Sequence, residues 1–363
     1  MIHVMVHLTK PTVSLSEARF RTDKVLQTFF AEYDATALQM DSSYAQLWRI
    51  MARLNQAGGK RLRPYMTQLS YSIFKGTHDD VIVEPSIAWE LLHLCLLIHD
   101  DIIDNDFIRY GVDNVAGSYQ KMYLPLESSE DRRNHLASSA AILAGDMALS
   151  AAHSMILDSM LTSDQKVTAL RYVTKATFTV AGGELLDSES VLGNILDTDT
   201  AKIATFKTAS YTFVGPLLMG ADLAGATKEQ LTILDSFATE LGRAYQLADD
   251  LIGVFGDSKV TGKSTSGDIR EGKHTYLMQY AFGHANSDEV AVLQSLVGKA
   301  SIEPNEVERV AEILLSSGAR QAVEERMQQH VAACERMISE LQITCPKADD
   351  LAVLISMATK RQF

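Results

Sequence analysis

Proline is scarce. Seven in 363 residues leave long stretches free of the residue that breaks helices. The one strand-like run, Val81-Ile82-Val83, is too short to found a sheet. Cysteine is scarce too: Cys95, Cys334 and Cys345 have no metal-knuckle spacing, and three thiols cannot all pair internally, so a reducing, cytoplasmic setting is expected. Positive charge is in deficit, 33 Lys and Arg against 46 Asp and Glu for a net charge of -13. That argues against sequence-independent binding of nucleic acid, which rests on clustered cations. An anionic substrate would need locally placed cations or bound metal. No uninterrupted apolar run reaches the roughly 18 residues expected of a membrane span, and the opening MIHVMVHLTK is too short and too interrupted for a signal peptide. The expectation is a cytoplasmic chain without a membrane span.

What is abundant is helical periodicity. Leu234, Phe237, Ala238, Leu241, Tyr245, Ala248 and Ile252 recur at intervals of three and four, one face of an amphipathic helix. Similar stripes run through 17–33, 87–104, 137–160, 165–190, 306–316, 318–341 and 350–359. With 46% apolar residues there is ample core. No internal repeat or composition break marks a second domain. The chain therefore reads as all-α: a loosely ordered arm over 1–13, then a single helical domain over 14–363. Loops are expected at 122–135, around Pro125, and at 256–273, where glycines gather among charges.

Acidic residues continue two of the apolar faces. In Trp89–Arg109 one stripe reads Leu92, Leu96, Asp100, Asp104, and its neighbour reads Trp89, His93, Leu97, Asp101. Residues four apart share a helix face, so the carboxylates fall where the apolar face was heading, against other helices or at the rim of a cavity. Crowded there they repel and resist desolvation; a hard divalent cation removes that cost, and magnesium is the usual one beside diphosphate. Asp249 and Asp250 repeat the arrangement, Asp249 one turn after Tyr245. A single Asp pair reads equally well as a solvated helix end. Two pairs, each ending an apolar face, point to two walls of one cavity.

Cations follow. Gly58-Gly59-Lys60-Arg61-Leu62-Arg63-Pro64 sets three in a glycine-led turn, suited to phosphate, though basic turns are commonly just solvated. Lys207-Thr208, Lys263 and Lys273 add more, the last two in the glycine-rich loop, where a lysine can close over a bound phosphate. His93, alone on an apolar face, reads first as a hydrogen-bonded core residue.

Together GGKRLRP (58–64), LLHLCLLIHDDIID (91–104), AGD (144–146), GGELLD (182–187), KTAS (207–210), YQLADD (245–250) and GDIREGKHT (267–275) resemble, in order and spacing, the trans-isoprenyl diphosphate synthases of the polyprenyl synthetase family, geranylgeranyl-diphosphate-synthase-like members in particular. The resemblance covers about residues 58–275. It implies an orthogonal helical bundle around a deep central cavity, a homodimer, three Mg2+ ions per site, and condensation of isopentenyl diphosphate with an allylic prenyl diphosphate. On that likeness Asp100, Asp104 and Asp249 hold magnesium, with Asp101 and Asp250 beside them. Arg109, Lys207 and Lys263 contact the allylic diphosphate, with Thr208, Gln246 and Lys273 nearby. Lys60, Arg63 and His93 hold isopentenyl diphosphate.

Three positions depart from the pattern, as does the stretch Val112-Asp113-Asn114, where the family usually has lysine-proline-threonine. Tyr110 stands where the family has a second arginine for isopentenyl diphosphate. Gly253 stands where many members have a third aspartate, and Glu184 where glutamine is common. Cys95 and Leu96, a turn before the first acidic motif, are not aromatic, so the chain-length pocket should be deep and the product C20 or longer. Tyr110 keeps open a terpene-synthase-like enzyme that ionises a prenyl diphosphate without elongating it; a non-catalytic regulatory subunit of a prenyl synthase is the reading from another class.

Overall fold

The computed structural model describes residues 12–75, 80–256 and 267–359. They group into two compact units, one spanning Val13–Val173 and the other running from Thr174 onward with Thr12 attached. Of the expected arm, residues 1–11 lie outside the described residues. Thr12 gives its backbone N–H and its hydroxyl to the Asp350 carboxylate, and Val13 is fully buried.

The first unit holds α1 (Leu15–Met40), α2 (Ser42–Ala57), α3 (Leu62–Lys75), α4 (Val83–Ser86), α5 (Ala88–Ile103), α6 (Val115–Tyr123) and α7 (Glu130–Leu157). Ser14 and Asp41 cap α1 and α2 by accepting backbone N–H groups of the first turn. The helix that carries the first acidic motif, α5, packs on α7. The buried positions of α7 are mostly small (Ala137, Ala141, Ala144, Gly145, Ala148, Ala151), which lets the two axes approach; a side chain at Gly145 would run into the His99 ring. Trp89, Leu91, Leu92, Leu94 and Ile98 of α5 are buried, at about 1.5–3 kcal/mol of transfer free energy per large side chain. The acidic last turn of α5 is thus anchored by its own apolar face. Beyond it, β1 (Ile108–Arg109) pairs antiparallel with β2 (Val112–Asp113), Arg109 opposite Val112. Tyr110 and Gly111 make the turn with φ of 54° and 75°, the left-handed pair that a tight two-residue hairpin requires.

Arg61 is the hub of this unit. It sits at φ 55° and is 6% exposed. Its guanidinium donates to Asp23 of α1 at 2.7 Å, Glu90 of α5 at 2.6 Å and the Asn55 carbonyl of α2 at 2.8 Å. Burial opposes its charge, but Glu90 and Asp23 outweigh it and hold the guanidinium more firmly protonated than usual. Three helices are fixed by one cation.

In the second unit, the later part of α8 (Ser163–Ser190) leads to α9 (Thr200–Ile203), a π-helix over Ala204–Val214, α10 (Gly215–Leu223) and α11 (Lys228–Phe255). Then come α12 (Gly267–Glu271), α13 (Tyr276–His284), α14 (Ser287–Leu296), α15 (Pro304–Ser316), α16 (Ala319–Gln342) and α17 (Ala352–Thr359). A capping box between Thr227 and Gln230 starts α11. Gly242 brings α11 into backbone contact with the π-helix at Ala209, while α16 packs on another side of α11. Leu247, Leu251, Val254, Ile269, Leu277 and Met278 share one buried cluster.

Val81–Val83 founds no sheet, as expected: it is helical, a 3-10 turn at Asp80–Ile82 running into α4. Three other expectations need correction or limits. The loop expected at 122–135 is confined to 124–129. Ser129 caps α7, and Glu130 and Asp131 favour its first turn. Of the loop expected at 256–273, residues 257–266 lie outside the described residues and Gly267–Glu271 is helical. Two helical stretches, Asp80–Ile103 and Glu130–Leu157, do reach the length and mean hydropathy of a membrane span, 1.8 and 1.5 over their best windows. The sequence reading counted uninterrupted runs, whereas an average tolerates scattered polar residues. The first of these windows is 72% buried within the protein, as a core helix would be, and the second only 39%.

Replacing Arg61 with Met should leave buried Glu90 without its counter-charge and cost about 3–5 kcal/mol in urea unfolding; a loss below about 1 kcal/mol would contradict the hub role assigned to it.

Candidate active site

The first unit places its acidic residues at the end of α5. Asp100 and Asp104 are partly exposed; Asp101 is 2% exposed. Arg109 reaches back from β1, donating through Nε to Asp101 Oδ1, with Nη2 3.5 Å from Asp100 Oδ2. Burial pushes the Asp101 carboxyl up to about 6, with Arg109 pulling the other way and Asp100 and Asp106 adding to the rise. Its Oδ2 is buried and, among the described residues, accepts no hydrogen bond. One guanidinium thus reaches both Asp100 and Asp101.

The cationic turn divides by role. Lys60 is exposed and Arg63, on the first turn of α3, is half-buried, whereas Arg61 is committed to the helix hub. Gly59, at φ 100°, lets the Arg61 guanidinium pass close beside it. On α5, burial pushes His93 well below the ordinary histidine range, and the fields of Arg63, Arg109 and Arg61 push it further. The imidazolium form of His93 is therefore disfavoured. Cys95 is buried, its Sγ 3.8 Å from His99 Nδ1, and burial raises its thiol to about 12, far from a reactive thiolate. Leu96 keeps part of its surface accessible.

The second unit repeats the division. Asp249 is partly exposed, and Asp250 is 5% exposed, raised well above the carboxylate range by burial, against a hydrogen bond from Gln246. A relay fixes its surroundings: Thr208 Oγ1 donates to Gln246 Oε1 at 2.6 Å, and Gln246 Nε2 donates to Asp250 Oδ1 at 2.8 Å. Lys207, on the π-helix, pairs with Glu184 at 2.9 Å and Asp187 at 2.6 Å, both on α8. Gly183 permits this, since a side chain there would collide with the backbone at Lys207. A π-helical stretch at a functional site is a familiar use of this rare geometry. Lys273 pairs with Glu271 at 2.7 Å. Lys263 lies outside the described residues.

Sequence reasoning missed two participants. A side chain at Gly253 would meet Asp268 Oδ2 at 2.5 Å, so Asp268 fills the space of the aspartate absent at 253. Nothing in the linear pattern links positions fifteen residues apart through a loop. Asp187 was read only as part of GGELLD; its four-residue offset from Gly183 could have placed it on the face that meets Lys207.

Among the described residues no three His, Cys, Asp or Glu side chains form a ready-made metal cage. That suits magnesium, which takes one or two carboxylates and completes its shell with water and substrate phosphate. The donor set is all oxygen, and Asp101 Oδ2 is a buried oxygen that accepts no hydrogen bond among the described residues.

Comparison with known proteins agrees with this chemistry. Residues 45–314 match the polyprenyl synthetase family. The geranylfarnesyl diphosphate synthase of Aeropyrum pernix is 31% identical over 83% of this chain and 90% of its own. The geranylgeranyl diphosphate synthase of Sulfolobus acidocaldarius is 30% identical over 74% and 77%. A crystal structure of geranylgeranyl pyrophosphate synthase from Corynebacterium glutamicum, complexed with isoprenyl diphosphate and magnesium, superposes with a TM-score of 0.89 at 28% identity, covering 96% of this chain and all of that one. The expected all-helical isoprenoid-synthase fold is the one found, and the chain belongs to the polyprenyl synthetase family as a trans-isoprenyl diphosphate synthase, a prenyltransferase of isoprenoid biosynthesis.

Proposed function

We propose that this synthase condenses isopentenyl diphosphate with an allylic prenyl diphosphate to give a linear trans-polyprenyl diphosphate of C20 or longer. The observation that carries the elongating reading is the turn Gly59–Arg63, where exposed Lys60 and half-buried Arg63 flank an Arg61 already committed to Asp23, Glu90 and Asn55. It is a cationic turn distinct from Arg109 and Lys207, which are paired with carboxylates. Ionising an allylic diphosphate requires one anion site; elongation requires a second, and Lys60, Arg63 and His93 are suited to form it.

Asp100, Asp104 and Asp249, each partly exposed, would hold magnesium, three ions in all, with Asp101 and Asp250 as buried supports. When bound, magnesium neutralises charge developing on the leaving diphosphate. Arg109, Lys207, Thr208, Gln246, Lys263 and Lys273 would serve that same diphosphate. Arg109 and Lys207 rest on carboxylates without substrate, which keeps them extended and aimed until an anion competes for them. The Thr208–Gln246–Asp250 relay fixes the amide so that its orientation need not be set during reaction. His93 can donate a ring N–H to a phosphate oxygen. No Ser or Cys nucleophile is called for, and the inert Cys95 thiol agrees with that. Leu96 offers the growing chain an accessible aliphatic surface, while Cys95 is buried behind it.

The unit is proposed to act as a homodimer in the cytoplasm. The α7 window is only 39% buried despite its mean hydropathy of 1.5, and it presents Leu136, Ile142 and Leu143 outward; a second copy would cover it. All three cysteines are free and buried, in keeping with a reducing compartment.

Purified protein with magnesium, labelled isopentenyl diphosphate and separate C5, C10 and C15 allylic diphosphates should yield labelled products of C20 or longer. The Lys60→Ala variant should raise the KM for isopentenyl diphosphate about tenfold or more with little change in thermal stability. Release of diphosphate as hydrocarbon or alcohol, without label incorporation, would instead support the terpene-synthase-like reading. In sedimentation, Leu143→Glu should shift the protein from dimer to monomer; an unchanged sedimentation coefficient would contradict the α7 interface.

A further inference from the structure

Tyr110 stands where a second arginine is expected, and although its side chain is 45% exposed, one part of its ring packs on the chain. A Cβ at Gly58 would lie 2.6 Å from Tyr110 Cγ and Cδ2 and 2.8 Å from Cδ1, so the ring packs directly on the Gly58 backbone. The contact joins two distant parts of the first unit, the turn after β1 and the end of α2, where Gly58 is the C-cap. Tyr110 sits at φ 54°, the left-handed conformation that its two-residue hairpin requires.

Consider what lies on either side of Lys60. One residue on, Arg61 is bound to Asp23, Glu90 and Asn55. Two residues back, Gly58 lies under the Tyr110 ring. Gly58 and Gly59 have no side chains of their own to hold this turn, and glycine carries the largest conformational entropy to be lost on ordering. The hub fixes one end of the Gly58–Lys60 segment; the ring fixes the other.

We propose that Tyr110 is a positioning residue of the isopentenyl diphosphate subsite, its ring clamping Gly58 and so setting the backbone from which exposed Lys60 projects. Packing takes over a task that an arginine at this place would perform by charge. This rests on the elongating function proposed above, since Lys60 is assigned to the second substrate there. Gly58 and Tyr110 then form one unit: a larger residue at 58 should do harm only while the ring is present.

The test measures KM for both substrates in wild type, Tyr110→Phe, Tyr110→Ala, Gly58→Ala and the Gly58→Ala/Tyr110→Ala double variant. Tyr110→Ala and Gly58→Ala should each raise the KM for isopentenyl diphosphate about tenfold, with the allylic KM within about twofold of wild type. Tyr110→Phe should behave as wild type, and the double variant should be no worse than Tyr110→Ala alone. An unchanged KM in Tyr110→Ala overturns the proposal. So does a parallel rise in both KM values, which a merely structural role would give, and so do simply additive effects of the two substitutions. Calorimetric titration of isopentenyl diphosphate onto the same proteins needs no turnover. A chain that binds it without elongating overturns the proposed function while the ratios of Kd still decide the role of Tyr110. A wild type that binds none of it overturns both.

Discussion

Everything at this site depends on how carboxylates are kept at the ends of apolar helix faces. In each acidic pair one aspartate is buried, Asp101 or Asp250, and its neighbour, Asp100 or Asp249, stays partly in solvent. Burying a carboxylate is costly unless a proton, a cation or hydrogen bonds compensate. The two units solve this differently. On α5 a guanidinium, Arg109, comes back from a tight ribbon to Asp101. On α11 a neutral amide, Gln246, does the work, itself fixed by Thr208. Under the proposed function, the partly exposed aspartate of each pair would receive magnesium together with diphosphate.

The same logic separates the cations into two kinds. Arg61 is committed to structure: its donors are spent on three helices, and its neighbour Lys60 is left exposed. Arg109 and Lys207 are held by carboxylates in a way a polyanion can compete with. Lys207 depends further on backbone contact, because α8 can approach the π-helix only where Gly183 has no side chain. Glu184, met in the sequence as one negative charge too many, is one of the two partners that hold Lys207.

Much of this was legible in the linear chain. The stripe Leu92, Leu96, Asp100, Asp104 and the periodicity of 234–252 are local, and a helix converts spacing directly into a face. The all-helical fold followed from them. What escaped was set by contacts distant in sequence. Asp268 occupying the space at Gly253 and the Tyr110 ring on Gly58 are meetings of segments with no shared period. Arg61 looked like one more cation in a basic turn, and only its three partners reveal it as core. The short loop before α7 was overextended because Ser128–Asn134 is polar, and polarity alone does not distinguish a loop from a capped first turn.

The central claim is that the carboxylates bind magnesium as a joint complex with diphosphate and not as a cage of their own. Calorimetric titration of magnesium into the protein, with and without saturating inorganic diphosphate, tests it most directly. Linkage requires each ligand to raise the affinity of the other by the same factor. Magnesium should bind weakly to the protein alone and with an affinity at least about tenfold higher when diphosphate is present. Tight magnesium binding that diphosphate leaves unchanged would contradict it.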